Sequence, residues 1–320
     1  MTHHILIDTD PGVDDAMAIF LALRSSEIEL LGLTTVFGNS TVDATTRNAL
    51  NLLHVAGRDD IPVARGAWRP LVLPLGETGE WVHGADAMGN IGWTDVLKPE
   101  LRAVDAPAAR FIVETVMARP GEITLVPIGP LTNLALALQL EPRIAQAVKA
   151  VVMMGGSAMA PGNVSPLAEA NVHNDPHAAS LVFGAGWPIV MAGLDVTESI
   201  PMDNDDFAAL AASSDPLGRF IPRIVGHYQD FHRDWYKLPN GEIHTHDACA
   251  VLHLIDPTLF GGQDWSINVP LDGLAKGATL VDRRGSFYTT PKVHCLTTVD
   301  HARLIDVYRT RMGATARVRR

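Results

Sequence analysis

Cysteine is almost missing: Cys249 and Cys295 are the only two in 320 residues. That excludes a disulfide framework and makes a reducing compartment the expectation. Basic residues are short as well. Lys and Arg number 25 against 36 Asp and Glu, a formal charge of −11, which argues against nucleic acid or an anionic membrane as main partner. No uncharged apolar run approaches the ~20 residues of a membrane helix. The short run Ile5-Leu6-Ile7 meets acids at once, unlike a secretory leader. A soluble, cytoplasmic protein is expected. Charged residues are only 19% of the chain and hydrophobic ones 47%, which excludes disorder and supplies a large core. Internal repeats, low-complexity stretches and long linkers are lacking too, so one domain over residues 1–320 is expected.

What the sequence has in excess is acid in one place. Asp8-Thr9-Asp10-Pro11-Gly12-Val13-Asp14-Asp15 carries four carboxylates in eight residues. An apolar run precedes it, and Ala16-Met17-Ala18-Ile19-Phe20-Leu21 follows, which reads as strand, tight turn, helix. The acids then stand at the carboxyl end of a strand, where open α/β sheets keep their ligand sites. Four like charges so close repel unless a cation or shared protons compensate, and a hard divalent cation with oxygen ligands is the simplest compensation. A plain acidic helix start, with Asp at the cap, is the competing reading.

Strand and helix patterns alternate through most of the chain. Strands are expected at 29–36, 62–64, 123–126, 150–154 and 188–191, with helices at 14–24, 41–56, 106–118 and 134–140. Asp175-Pro176 starts another helix, with Asp as cap and Pro in the first turn. Residues 203–235 and 247–255 read as helical; strands at 266–269, 279–281 and 292–298 precede a last helix from Asp300. This predicts an α/β protein with an open, mostly parallel sheet flanked by helices. Residues 65–105, rich in Gly, Pro and Trp, break the alternation and read as a functional loop insert.

Other polar groups fall at strand ends or in irregular stretches. They are Asn39 after the second strand, Asn163, Glu169 and Asn171 in one irregular segment, and His246-Asp247 before a helix. Singly, each reads as a turn former, a cap or a surface residue. In a parallel sheet the strand carboxyl ends share one edge, so together they can converge. Amides, carboxylates and a hard cation suit a polyhydroxylated ligand such as a sugar. A carboxylate as base and a histidine as acid suit hydrolysis of a glycosidic bond through an oxocarbenium-like transition state.

The block Asp8-Thr9-Asp10-Pro11-Gly12-Val13-Asp14-Asp15-Ala16 resembles the signature of the nucleoside hydrolase family, inosine–uridine preferring type. The likeness continues in Thr34-Thr35-Val36-Phe37-Gly38-Asn39, Thr45-Thr46-Arg47-Asn48-Ala49, Val126-Pro127-Ile128-Gly129-Pro130-Leu131-Thr132-Asn133 and Met153-Met154-Gly155-Gly156. Ala168-Glu169-Ala170-Asn171, Gly193-Leu194-Asp195-Val196-Thr197 and His246-Asp247-Ala248 complete it. The resemblance implies Ca²⁺-dependent hydrolysis of the N-glycosidic bond of ribonucleosides, with broad or pyrimidine/inosine preference, in a homotetramer or homodimer. It implies that Asp10, Asp15 and Asp247 ligate Ca²⁺ with the Ile128 carbonyl, Asp10 also serving as the base that activates water. Asp14, Asn39 and Asn171 then hold the ribose 2′- and 3′-hydroxyls, and Asn163 with Glu169 the 5′-hydroxyl. Asp8 supports the loop, His246 protonates the leaving base, and His83 lies at the base site. The region around 203–255 closes over the base. Its segment 227–235 departs from the family's tyrosine-bearing pattern, so Tyr228, His232 and Trp235 are candidate base contacts only. Two other readings compete: a Mg²⁺-dependent aspartyl phosphatase using Asp8-Thr9-Asp10, and a non-catalytic calcium-dependent ribose-binding protein.

Overall fold

Alternation in the first strand sets the layers. Ile5 and Ile7 enter one hydrophobic core and Leu6 the other, so this strand is covered on both faces, as a central parallel strand must be. The structure, a computed structural model, describes residues 2–93 and 100–317. Eleven strands are described: β1 His3–Thr9, β2 Ile28–Thr35, β3 Val63–Arg65, β4 Ile123–Pro127, β5 Ala150–Met154, β6 Ile189–Ala192, β7 Pro201–Met202, β8 Ile243–His244, β9 Phe260–Asn268, β10 Leu280–Asp282 and β11 Lys292–Val299. Nine form one sheet in the order β10-β9-β11-β6-β5-β4-β1-β2-β3, and β7 pairs with β8 apart from it.

From β3 to β11 the pairing is parallel; only β9, between β11 and β10, runs antiparallel to both. The strand order turns back beside β1, which lies between β2 and β4. Such a switch point opens a crevice at the strand carboxyl ends. The acidic block leaves β1 there, and Ile128 follows β4. The helices Val13–Leu23, Val42–Val55 and Ala248–Ile255 pack on the Ile5 and Ile7 face, while Ala108–Ala118, Thr132–Leu140 and Pro176–Gly184 cover Leu6.

The mostly parallel α/β sheet is as expected. Two local differences have physical causes. β9 begins six residues before the expected Ser266, because Phe260-Gly261-Gly262-Gln263-Asp264 has no apolar alternation and is held by its ladder with β11. Within the irregular segment 155–174 the short helix Ala170–Asn174 forms, started by Glu169, whose side chain accepts from the Asn171 and Val172 amides. The expected loop insert 65–105 contains one short helix, Glu80–His83; its residues 94–99 lie outside the described residues. Among the described residues, no helix is long and apolar enough to cross a membrane.

The C-terminal helix His301–Arg311 is tied back to the helix Asn204–Ala211 by charge. Asp206, fully buried, accepts from Arg309 at 3.0 Å and from Arg317 Nε at 2.8 Å. Burial raises the Asp206 carboxyl, but Arg317 and Arg309 outweigh it and leave it below the ordinary 3.8. Its contribution is therefore complete above that pH and fades as pH falls through the lower folded-state value. Asp206→Ala strands Arg309 in the core and should cost about 3–5 kcal/mol. Urea denaturation at pH 7 checks it, and the wild-type and variant midpoints should approach each other only in strong acid.

Candidate active site

The turn after β1 aims two neighbouring carboxylates inward. Gly12 caps the helix Val13–Leu23, and Asp15, in its first turn, accepts from the Gly12 amide at 2.9 Å and from the Thr9 hydroxyl at 2.5 Å. So the helix-cap reading is true of Asp15, and the dipole there favours negative charge. The cap leaves the rest of the cluster unexplained. Asp10 is buried, one oxygen accepting from the Asn39 amide at 2.7 Å, while Oδ1 has no hydrogen-bond partner. Asp14 accepts weakly from the Tyr228 hydroxyl at 3.3 Å, and its Oδ1 also lacks a partner. Buried polar atoms without partners are rare and call for an occupant.

Oxygens of Asp14, Asp15 and Asp247 lie within 4.8 Å of one another. Asp247 starts the helix Ala248–Ile255 without using its side chain as a cap, so its carboxylate is free for that cluster. Burial first, and repulsion by neighbouring acids second, push Asp14 up to about 8 and Asp10 and Asp247 well above the ordinary range; burial alone raises Asp15, against the hydrogen bonds it accepts from Thr9 and Gly12. The loops leave no room for a side chain on either flank of Asp10. A Cβ on Gly38 would stand 2.0 Å from Asp10 Oδ2, and one on Gly129 2.3 Å from Oδ1. Asp8 lies outside the cluster. It accepts from Thr34 at 2.5 Å and Asn133 at 2.8 Å, and burial lifts it to about 7. Both bonds fall on Oδ1 and Oδ2 has no partner, but Asp8 does not line the cavity and is poorly placed for the nucleophile of a phosphatase.

Above the acids opens a cavity of about 830 Å³, its mouth included. One side is polar: Asp14, Asn39, Asn163, Glu169, Asn171 and Asp247 line it, with Ile128 between. Asn39 touches both carboxylates, its backbone amide donating to Asp10 and its side-chain amide to Asp15 at 3.0 Å. Asn171 donates to the Ile128 carbonyl at 3.0 Å. Glu169 accepts from the Gly156, Asn171 and Val172 amides, which oppose the burial that lifts it to about 7. Asn163 accepts from Ala170 at 3.0 Å. For Asn163 and Glu169 the turn and cap readings therefore hold beside their place on the cavity wall.

The other side is aromatic, formed by Trp81, His83, Tyr228, Phe231, Tyr236 and His246. His83 stacks on Tyr228, ring centres 5.0 Å apart. Its Nδ1 accepts from the Val13 amide at 3.2 Å, so a neutral ring carries its proton on Nε2. Burial and the charge of His227 hold it down to about 3. His246 is buried, pairs through Nδ1 with the Thr197 hydroxyl at 2.8 Å, and is held well below its usual value by burial.

Ten of the expected residues line the cavity, and Asp10 and Asp15 lie buried beside it. Two candidate base contacts do not line it. His232 is fully buried behind Tyr228, edge-on at 4.3 Å, because four residues along a helix carries it past the cavity face that Tyr228 and Phe231 share. Trp235 is 56% exposed and packs outside, on Trp81 and Phe231. Sequence reasoning left Trp81, Phe231 and Tyr236 unassigned. The spacing of Tyr228, Phe231 and Trp235 was the available signal, but it does not say which side of the stripe faces a ligand.

A family model described as inosine-uridine preferring nucleoside hydrolase matches residues 5–306. A probable uridine nucleosidase 2 of Arabidopsis thaliana is 39% identical over 319 residues, which cover 96% of this chain and 97% of that protein. A non-specific ribonucleoside hydrolase, RihC, of Salmonella newport is 41% identical over 283 residues, 88% of each chain. Among solved structures, a plant nucleoside hydrolase superposes with a TM-score of 0.93 at 35% identity, covering 98% of this chain and 100% of that one. Residue blocks, sheet order and cavity thus converge with these likenesses: the chain belongs to the inosine–uridine preferring nucleoside hydrolase family of enzymes.

Proposed function

We propose that this enzyme is a calcium-dependent N-ribohydrolase that splits ribonucleosides into free base and ribose, with broad or pyrimidine/inosine preference. The observation that carries the reading is the two-sided cavity. An oxygen- and amide-rich floor fits a ribose, and an aromatic wall fits a planar base. A wholly non-catalytic ribose binder would need neither the unpartnered Asp10 oxygen nor a histidine on the base side.

The donor set is all oxygen, which suits a hard cation, and the partnerless Asp10 and Asp14 oxygens fit the same demand. Asp10, Asp15 and Asp247 would hold the ion with the Ile128 carbonyl; Asp14 lies close enough to join them. When bound, Ca²⁺ supplies positive charge that lets these carboxylates ionise together and acidifies water at the site. Asn39, Asn171 and Asp14 orient the 2′- and 3′-hydroxyls, and Asn163 with Glu169 the 5′-hydroxyl. Ionised Asp10 takes a proton from the attacking water as its oxygen bonds to C1′. The C1′–N bond breaks, its electron pair leaves with the base, and His246 supplies the proton that the base needs. For that role the Thr197 hydroxyl donates to Nδ1 and the ring proton sits on Nε2. Tyr228 and His83 form a flat wall beside the base. The loop 65–105 and the helices within 203–255 furnish this side of the cavity. A homotetramer or homodimer in the cytoplasm is the expected setting.

Three outcomes test the reading. Chelation should abolish release of reducing sugar from uridine or inosine, and Ca²⁺ should restore it; full activity after exhaustive chelation refutes the metal. Asp10→Asn should lower kcat by about 10³-fold, within the range for loss of a general base, with thermal melting little changed. His246→Ala should slow nucleoside hydrolysis by ~10²–10⁴-fold, yet spare p-nitrophenyl riboside, whose phenolate leaves without a proton. Equal losses on both substrates would remove His246 from the acid role.

A further inference from the structure

Behind the aromatic wall three histidines meet, brought there from separate elements. His232 lies on the helix Gly226–Trp235, His244 ends β8, and His246 precedes the helix Ala248–Ile255. One ring nitrogen of each lies within 4.8 Å of the others. Their rings meet edge to face, with centres 5.2 Å apart for His232 and His244 and 5.5 Å for His244 and His246.

We propose that His232, His244 and His246 form a second metal site, built for a late first-row divalent ion such as Zn²⁺ and chemically separate from the oxygen site. The hydrogen bonds leave the nitrogens suited to it. His232 Nδ1 lies 2.8 Å from the Tyr228 carbonyl, which can only accept, so the ring proton is on Nδ1 and Nε2 keeps its lone pair. That Nε2 is buried without a partner, and so is His244 Nδ1. His246 Nδ1 meets the Thr197 hydroxyl at 2.8 Å; with Nδ1 donating, Nε2 is left as the ligand. Metal-bound imidazoles ordinarily use their second nitrogen this way, on a carbonyl or hydroxyl.

Charge favours the site too. Burial holds His232 at about 3 and His244 at about 4, so both rings are neutral at pH 7 and need lose no proton to bind. Imidazole-only ligation suits Zn²⁺, Cu²⁺ or Ni²⁺ and offers Ca²⁺ no oxygen. Tetrahedral Zn–N bonds of about 2.0–2.1 Å place nitrogens about 3.4 Å apart, so the rings need close by no more than about 1.4 Å. Tyr236 walls the cluster, stacked on His232 at 5.2 Å and edge-on to His244 at 4.8 Å. His246 lines the cavity and gives the ion a way in. The same Nε2 cannot ligate an ion and carry a proton. If His246 acts as the acid proposed above, the ion inhibits by removing that proton.

The test uses the full chain in excess Ca²⁺, titrated with Zn²⁺ alone against a chromophoric chelator. One equivalent of Zn²⁺ per chain is expected. His244→Gln and His232→Gln should each abolish it, with circular dichroism unchanged, while Asp15→Asn should keep it. Zn²⁺ should inhibit the wild type and leave His244→Gln at its own zinc-free rate. Absence of the equivalent, its survival in His244→Gln, or its loss in Asp15→Asn would overturn the site. Binding is read without substrate, so a failed nucleosidase reading leaves this result standing on its own.

Discussion

Everything at the mouth of this sheet depends on three aspartates that cannot all be charged unaided. Oxygens of Asp14, Asp15 and Asp247 share a space under 5 Å across, and each carboxylate is nearly inaccessible to water. At an effective dielectric near 20, each pair at such a separation repels by roughly 3–4 kcal/mol, or about 10 kcal/mol for the three pairs. That rivals the whole stability of a domain. Either protons stay on, as the raised pKa directions describe, or a cation neutralises the set. The cost is tolerable only if the arrangement serves something, because replacing a buried charge cluster by apolar groups generally costs little.

The fold meets this constraint with backbone. The carboxylates hang from the ends of strands and the first turns of helices, where amides already point outward. Asn39 neutralises part of the repulsion twice over, through its backbone amide on Asp10 and its side chain on Asp15. Gly38 and Gly129 close on either side of Asp10, at distances where any side chain would collide with its oxygens. Gly38 also has φ +154, a conformation other residues rarely adopt. The position of Asp10 is thus imposed by packing on both flanks, which is what the base role proposed for it requires.

The layered sheet and the acidic strand end were legible in the sequence because both have local causes. Ile5-Leu6-Ile7 followed by Pro-Gly and a helical pattern is a short-range signal, and the parallel order gathers every strand end onto one edge. Asn163 and Glu169 could be suspected for the same reason, although their capping bonds show how a cavity-lining residue and a turn former look alike in a string of letters. His232 and Trp235 were not legible. Helical spacing groups Tyr228, Phe231, His232 and Trp235 on adjoining faces. Which face meets the cavity is decided by Trp81 and Glu80–His83, some 150 residues away, and no local pattern carries that information. β9 was underestimated for a similar reason, since its first half is held by a ladder with β11 and not by its own residues.

This difference in legibility follows a difference in construction. The floor of the cavity is fixed by sheet register: β1, β4 and β5 hold their relative positions through ladders, and a one-residue slip would exchange the side chains of the two cores and displace the strand ends. The aromatic wall has no ladder to the main sheet. Tyr228 and Phe231 stand on a helix held by ring contacts to Trp81 and His83 and by the small β7–β8 ribbon nearby. Side-chain contacts of this kind can be exchanged one at a time without disturbing the strand ends. His246 and Asp247 sit on the seam, neighbours in sequence but on opposite sides of the division, one facing the aromatic wall and the other the carboxylates. A chain built this way can change its aromatic wall while the groups proposed to bind the sugar and break the bond stay where the sheet puts them. That is consistent with a family whose relatives carry names as different as uridine nucleosidase and non-specific ribonucleoside hydrolase.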